Sequence, residues 1–129
     1  MSRGVVFDAS ALFALIQGEE DASVLQPLLK GAVMSAVNVA ESLTALQRLQ
    51  IATEEGLFLI ADLVETICPF DAEQAKAVAQ LYSQVKDKGL SLEDRACIAL
   101  GIERSSPIYT ADRIWGSLAL PQAQIHLIR

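Results

Sequence analysis

Short apolar segments alternate with longer helical patterns along this chain, and the alternation limits the fold more than any other feature. The apolar segments lack the polar–apolar alternation of a half-exposed sheet, so their strands should be covered on both faces. We predict strands over residues 5–7, 32–37, 66–70, 107–110 and 124–128. We predict helices over residues 10–16, 21–30, 39–52, 54–64, 71–88, 92–104 and 112–118. The pattern predicts an α/β fold with a mostly parallel central sheet.

Particular residues define several of these boundaries. Asn38 is predicted to cap the helix after the second strand, and Asp71 the helix after the third. Pro69 lacks a backbone N–H, so its strand is expected at an edge of the sheet. In the short helix over residues 21–30, Val24 is expected to face the core.

Length and composition limit the class of protein. The 129 residues suffice for one domain, which we expect to span residues 1–129. A hydrophobic content of 52% excludes a disordered chain. No apolar run approaches the roughly 20 residues of a membrane helix, and no signal peptide is evident, so we expect a soluble, cytoplasmic protein. Cys68 and Cys97 lack zinc-site spacing and are expected to be buried thiols.

The charge balance is acidic, with a formal net charge of −6 and a sequence pI of about 4.6. Charge alone therefore argues against a nucleic-acid partner, because nucleic-acid affinity comes mainly from basic groups. The exception would be a protein in which some of the acids hold cations.

Acidic side chains fall where predicted strands end. The first stretch, RGVVFDASALFAL over residues 3–15, places Asp8 between a strand and a helix. Glu41 follows the second strand, Asp112 follows the fourth, and Asp94 begins the helix that leads into the fourth. Ligands of open α/β sheets bind at the carboxyl ends of the strands. Four acids at one edge would suit Mg²⁺ or Mn²⁺, which prefer oxygen ligands.

Helix capping explains each of these acids separately. The spacings Asn38 to Glu41 and Ser91 to Asp94 are those of capping boxes. Asp8 and Asp112 also stand where an acid favours a helix N-terminus. Capping alone does not require the acids to converge, so their positions in the fold distinguish the two interpretations.

Four motifs carry a resemblance to a known family. VVFDASAL, SAVNVAE, LSLEDRACIALG and YTADRIW resemble, in order and spacing, the successive motifs of the PIN domain, in particular those of VapC-type toxins. The resemblance covers nearly the whole chain and implies a three-layer α/β/α sandwich. Two positions depart from the family pattern: Glu93, where many relatives have glycine, and Gly116, where some relatives carry an acid or polar residue.

The resemblance implies a metal-dependent endoribonuclease. It implies an acidic quartet at Asp8, Glu41, Asp94 and Asp112, and small polar residues around it at Ser10, Asn38 and Thr110. One or two Mg²⁺ or Mn²⁺ ions would be the cofactor, and a metal-activated water would attack an RNA phosphodiester. The implied partners are a cognate antitoxin protein, the RNA substrate and a second copy of the chain in a homodimer.

Basic and aromatic residues near the motifs are candidates for RNA contacts. Arg95 and Arg113 each follow a quartet acid, and Arg48 lies two turns beyond Glu41. All three are candidate phosphate ligands, with ordinary surface ion pairs as the alternative. Trp115 is expected to be partly buried, with base stacking as its alternative, and the single histidine, His126, is expected to be structural.

Two other functional classes remain open from the sequence. Haloacid-dehalogenase-like phosphohydrolases and receiver domains also place an aspartate after the first strand. The former would want a second acid at position 10, where Ser10 stands, and the paired acids and lysine of a receiver are not evident. A PIN-like module with an idle site, binding RNA or protein, is the other alternative.

Overall fold

Five parallel strands form the centre of the protein in a computed structural model that describes residues 4–129. Arg3, the first residue of the stretch over residues 3–15, lies outside the described part. The strands are β1 (Val5–Phe7), β2 (Ala32–Ser35), β3 (Thr66–Cys68), β4 (Ile108–Thr110) and β5 (Ile125–Leu127). They pair in the order β3-β2-β1-β4-β5, and every pairing is parallel. The predicted parallel α/β sheet is confirmed, with β3 at an edge.

Five α-helices and three 3-10 helices connect the strands. The α-helices are α1 (Ala9–Ile16), α2 (Ala36–Arg48), α3 (Thr53–Leu63), α4 (Ala72–Val85) and α5 (Leu92–Arg104). The 3-10 helices are Glu20–Leu28, Lys86–Lys88 and Arg113–Ser117. Within residues 4–129, no helix is both long and apolar enough to cross a membrane.

The hydrophobic core lies on both faces of the sheet. Successive strand residues point to opposite faces, so Val6 packs towards α4 and α5 whereas Phe7 packs towards α1 and α3. Both residues are fully buried. The two faces make the three-layer α/β/α sandwich. Cys68 and Cys97 are buried free thiols, as predicted.

Helix α5 lies unusually close to the sheet. A Cβ atom on Gly101 would lie 2.2 Å from the side chain of Ile108 in β4. Ile108 is fully buried, so it has no free space into which to retreat. Glycine at position 101 therefore permits the contact that holds α5, and with it Asp94, against the centre of the sheet.

The helix predicted over residues 112–118 is the short 3-10 helix Arg113–Ser117. Two further differences have a visible cause. The segment predicted as a helix over residues 21–30 is a 3-10 helix, and Pro27 inside it explains why, because proline cannot continue an α-helical hydrogen-bond ladder. Val24, expected in the core, is 50% exposed. The second error concerns α2, which begins two residues before Asn38. Ser35, whose hydroxyl accepts a hydrogen bond from the N–H of Val37, is its N-cap.

The strand order creates a switch point beside β1. From β1 the chain first adds β2 and β3 on one side, and then crosses to add β4 and β5 on the other. At such a point the connections leave in opposite directions and open a crevice at the carboxyl ends of the strands. In this protein the switch point lies between β1 and β4, where Phe7 and Tyr109 are paired in register. Asp8 and Thr110 follow these two residues directly.

Candidate active site

Asp8 is the buried acid at the switch point. Its side chain is only 5% exposed, yet it accepts hydrogen bonds from three donors. Thr110 Oγ1 donates to Oδ2 at 2.6 Å, the Ala11 N–H donates to Oδ1 at 2.8 Å, and Ser10 Oγ lies 2.8 and 2.9 Å from the two oxygens. The bond from Ala11 also makes Asp8 the N-cap of α1.

The hydroxyl groups of Ser10 and Thr110 join the ends of β1 and β4. Their oxygens lie 3.2 Å apart. Each also accepts a backbone N–H from beyond β4, Ser10 from Ala111 at 2.8 Å and Thr110 from Asp112 at 3.0 Å. The network fixes the Asp8 carboxylate and the start of the Arg113–Ser117 3-10 helix in one position. The predicted placement of both hydroxyls beside the quartet agrees with this geometry.

Asp94 and Asp112 are also helix caps. The Ser91 hydroxyl accepts the N–H of Asp94 at 3.1 Å, and Asp94 Oδ2 accepts the N–H of Ser91 at 3.0 Å, which confirms the predicted capping box. Asp112 Oδ1 accepts the N–H of Ile114 at 3.1 Å. Each carboxylate uses one oxygen as a cap. Among the described residues, neither Oδ1 of Asp94 nor Oδ2 of Asp112 accepts a hydrogen bond.

Asn38 connects Glu41 to the N-terminus of α5. Its side chain is 1% exposed, inside α2. The amide Nδ2 donates to Glu41 Oε1 at 3.4 Å and to the backbone oxygen of Glu93 at 3.0 Å. Asn38 is thus an internal link between α2 and α5 and not the cap that its position in the sequence indicates. It brings the first turn of α5 alongside Glu41.

Burial and mutual repulsion raise the pKa values of three of these acids. Burial raises the pKa of Asp8 to about 6, against the opposing effect of its hydrogen bonds, and the charge of Asp94 adds to the rise. Burial also raises the pKa of Glu41, as do Glu93, Asp94 and Asp8, while the bond from Asn38 lowers it. The four predicted acids and Glu93 therefore form one electrostatically coupled group.

Asp112 belongs to this group because its charge acts on Asp94. Burial raises the pKa of Asp94, its bonds with Ser91 lower it, and the charges of Asp112 and Glu93 raise it again. Beneath the acids, burial raises the pKa of the Cys97 thiol, and the charges of Asp8, Asp94 and Glu41 add to that rise. Cys97 is therefore a neutral part of the floor of the site.

The donor set suits a hard divalent cation. All the clustered groups are carboxylates, and the ion pairs identified in the described part of the chain involve none of them, since they join Arg129 to Glu19 and Asp21. Across residues 4–129, however, no three acidic, histidine or cysteine side chains are arranged to hold one ion. Mg²⁺ is commonly held by one or two carboxylates, with water and substrate phosphate as its other ligands. The residues present fit that kind of ion.

The predicted basic residues lie in three different environments. Arg95 is turned towards α4, where Nη1 donates to the Val78 carbonyl oxygen at 3.0 Å and the guanidinium lies 5.5 Å from the centre of the Tyr82 ring. This geometry does not support the prediction that Arg95 binds phosphate. Arg113 and Arg48 are exposed, and Arg48 lines a groove that also contains Glu41 and Glu93.

Two ring side chains do not belong to the acidic group. Trp115 is 1% exposed, so the alternative of base stacking is wrong and the residue is core. His126 stacks on the Tyr109 ring with centroids 4.9 Å apart, which agrees with a structural role. Gly116, the second departure from the family pattern, is exposed, and a Cβ there would lie 2.9 Å from Leu127.

Sequence reasoning missed two features of the site. It extended the second strand to residue 37 and so missed that Ser35, the last residue of β2, caps α2 with its hydroxyl and so sets where Glu41 lies. It also treated Glu93 only as an added charge beside Asp94, whereas Glu93 shares a groove with Glu41. The sequence does contain a signal for the cap, namely a serine followed by a helical pattern. It contains no signal for the groove, because the groove depends on tertiary packing.

Comparisons with known proteins agree with this geometry. The sequence model of the PIN domain matches residues 5–119. No curated protein matches the chain. Among solved structures, the fold is similar to that of a toxin–antitoxin complex from Klebsiella pneumoniae, with a TM-score of 0.76 and 15% identity over 98% of both chains. A DNA-bound VapBC from Salmonella typhimurium gives a TM-score of 0.74 and 15% identity, covering 99% of this chain and 100% of that one.

A third similar structure is a toxin from Mycobacterium tuberculosis that cleaves the sarcin–ricin loop. It gives a TM-score of 0.69 and 14% identity, covering 94% of this chain and 99% of that one. These similarities show that VapC-type toxins share the fold, and the sequence match spans most of the described chain. The chain belongs to the PIN domain family.

Proposed function

We propose that the protein is a Mg²⁺- or Mn²⁺-dependent endoribonuclease that acts in the cytoplasm as the toxin of a toxin–antitoxin pair. The observation that carries the proposal is the convergence of Asp8, Glu41, Asp94 and Asp112 at the switch point of a parallel sheet, without a basic partner among the described residues. Membership in the PIN domain family and the shared fold of toxin structures support it.

Each acid has a role that its surroundings suggest. Asp8 and Asp94 would hold the cation, and Asp112 would bind the same ion or a second one. Glu41 would be a further ligand or would orient the attacking water. Two bound divalent ions would reduce the formal charge of −6 to about −2. The cation would supply positive charge for the phosphate and a water of lowered pKa.

The remaining residues of the site hold these groups in position. Ser10 and Thr110 fix the Asp8 carboxylate through their hydroxyls, so that it does not have to reorganise during the reaction. Asn38 holds Glu41 beside α5. A metal-activated water needs no side-chain nucleophile, and the hydroxyls of Ser10 and Thr110 are already engaged with Asp8. We therefore expect direct attack of water on phosphorus, which leaves a 5′-phosphate on the downstream fragment.

The test is cleavage of RNA by purified protein. Wild type should cleave with Mg²⁺ or Mn²⁺ and stop when EDTA is added, and 5′-end mapping should detect phosphate. Asp8→Asn and Asp94→Asn should abolish cleavage while leaving the fold intact, because each removes charge without changing volume. Asp62→Asn, at an exposed position on α3, is the matched control and should cleave normally. Wild-type cleavage by Asp8→Asn would disprove the metal assignment.

A catalytically idle PIN module is the second candidate. One observation favours it: no three potential ligands among residues 4–129 are arranged around a common ion. In that case the protein would bind RNA or a partner without cleaving, and EDTA would not change its effect on growth. Expression of wild type beside Asp8→Asn separates the candidates, because only a nuclease loses its growth effect with this substitution.

The dehalogenase-like alternative has lost its support. It rested on an aspartate after the first strand, a feature that the PIN domain also has. Membership in the PIN domain family accounts for that aspartate and for the three other motifs. A phosphatase assay in parallel with the RNA assay would show no metal-dependent release of phosphate from a phosphate monoester.

The proposed partners are an antitoxin and a second copy of the chain. Similar folds occur in a toxin–antitoxin complex. Leu57 is 44% exposed and Phe58 75% exposed on the outer face of α3, which suits the apolar side of an amphipathic segment. A basic residue of the antitoxin would then block the acidic site. Co-purification with the product of the neighbouring gene tests the first partner, and sedimentation equilibrium of the isolated chain tests the homodimer.

A further inference from the structure

A groove runs along α2 away from the acidic group. One of its ends contains Glu41 and Glu93, and the other contains Arg48. Its other lining residues are uncharged: Val37 and Ala40 precede Glu41 on α2, and Thr44 and Ala45 lie between Glu41 and Arg48. The groove is therefore negative at the end nearest Asp8 and positive at the far end, with an uncharged floor.

Arg48 is available to a ligand. The side chain is exposed, and among residues 4–129 it has no acidic group within ion-pair distance. Within the described part of the chain, Arg48 therefore does not form the ordinary surface ion pair that was the alternative to a phosphate contact. Arg48 lies in the last turn of α2, where its charge also suits the helix dipole. The helix dipole accounts for a basic residue at this position. It does not account for the open groove that connects this residue with Glu41.

The spacing of the groove matches a strand that extends beyond the site. Glu41 and Arg48 are seven residues apart on one helix, which corresponds to about 10 Å at 1.5 Å per residue. A phosphate at the acidic group would therefore be out of reach of Arg48, whereas a neighbouring phosphate of the same strand could be bound. A guanidinium binds phosphate oxygens with two parallel hydrogen bonds and is well suited to this contact.

We propose that this groove carries the RNA strand away from the acidic site and that Arg48 binds a phosphate neighbouring the scissile one. The proposal rests on the proposed nuclease function. It makes Arg48 a substrate-binding residue that does not touch the reacting atoms. RNA is the occupant because the groove is continuous with the acidic site through Glu41, and because its one cation, Arg48, has no acidic partner among the described residues and is free for a phosphate.

The test compares RNA cleavage by wild type and Arg48→Gln. The cleavage site is first mapped in total RNA, and an oligoribonucleotide of that sequence is then the substrate. We expect KM to rise about threefold to tenfold with kcat unchanged, as for loss of one charge-assisted contact. The slope of log affinity against log salt concentration should become shallower by about 0.7, the value for one phosphate contact in a single strand. Arg48→Lys should restore part of the affinity.

Two matched controls distinguish a local contact from net charge. Lys76→Gln removes one positive charge from the exposed face of α4 and should leave KM unchanged. Thr44→Glu adds a negative charge inside the groove and should raise KM, whereas Gln47→Glu adds the same charge to α2 outside the groove and should not. A substrate trimmed to the two nucleotides around the scissile bond should be insensitive to Arg48→Gln.

The outcomes separate this inference from the proposed function. If wild type shows no metal-dependent cleavage, the proposed function fails and the inference fails with it. If wild type cleaves but Arg48→Gln has an unchanged KM and salt slope, only the inference is overturned. An unchanged KM together with weaker inhibition by the antitoxin would likewise overturn it, because the groove would then be a protein-binding surface.

Discussion

Replacing Asp8 by asparagine should stabilise the metal-free protein while it abolishes cleavage. Asp8 is an ionised carboxylate whose side chain is only 5% exposed, and burial makes its charged form less stable. Asn has nearly the same shape but carries no charge, so the substitution removes the penalty without leaving a cavity. A substitution that improves the fold and destroys the activity is the expected behaviour of a charge kept for function.

The magnitude follows from the pKa. Burial raises the pKa of Asp8 from 3.8 to about 6, and each pKa unit corresponds to about 1.4 kcal/mol. Above pH 6 the ionised group therefore costs the native state about 3 kcal/mol. Asn keeps an oxygen for the Ala11 N–H, but the Thr110 hydroxyl must then accept a hydrogen bond where it now donates one. We expect a net gain of about 1–2 kcal/mol, or about 3–8 °C in Tm.

The assay is thermal unfolding in EDTA at several pH values. In the pH range between the two pKa values, the native carboxyl of Asp8 holds its proton and the unfolded one does not, so stability falls as pH rises through this range. The gain from Asp8→Asn should accordingly be full at pH 7.5 and absent below pH 4. Asp62→Asn, at an exposed position, should change stability by less than about 0.5 kcal/mol at either pH.

Two results would refute this reasoning. If Asp8→Asn were less stable than wild type at pH 7.5 in EDTA, the hydrogen bonds to the carboxylate would outweigh its burial. If the gain persisted unchanged at pH 4, it would not come from the charge. Either result would mean that Asp8 is a structural cap and not a group strained by its burial.

Three further predictions concern the same site. Mg²⁺ at ten times its dissociation constant should stabilise wild type by about 1.4 kcal/mol in thermal unfolding and should not stabilise Asp94→Asn; equal stabilisation would place the ion elsewhere. Gly101→Ala should cost about 1–3 kcal/mol in urea unfolding, because its methyl group meets buried Ile108, and an unchanged midpoint would show that α5 can move away. Ser91→Ala should cost about 1 kcal/mol and lower kcat, since the backbone N–H of Asp94 loses its hydroxyl acceptor and the first turn of α5 is held less firmly; retained kcat would separate capping from catalysis.

The central strand segments were predictable because β1 and β2 are short, wholly buried apolar runs, whereas the edge strands β3 and β5 are only partly buried. The order of the strands was not stated from the sequence, yet it decides the position of the site. β1 lies at the centre because β4 pairs with it and not with β3. The pairing of β4 with β1 goes together with the packing of α4 and α5 on one face of the sheet. No local sequence pattern indicates that packing.

The boundary errors have local causes that can be named. Residues 32–37 continue as an apolar run into α2, so the change from strand to helix at Ser35 left no mark in hydrophobicity. The sequence therefore predicts the cap at Asn38, the next residue with a good capping side chain. In the segment over residues 21–30, the apolar spacing predicts an α-helix, whereas Pro27 in mid-segment favours the 3-10 helix that forms.

Capping and metal binding first appeared to be competing explanations of the acids, and the structure shows why they are compatible. Asp8, Asp94 and Asp112 each accept a backbone N–H at the start of a helix, and each such start lies at the site. A carboxylate has about four lone pairs, so a cap leaves most of its acceptor capacity free. The cap also fixes the direction of the carboxylate without a basic partner, which would neutralise the site. Among the described residues, backbone N–H groups and hydroxyls hold these acids, and both leave the charge in place for a cation.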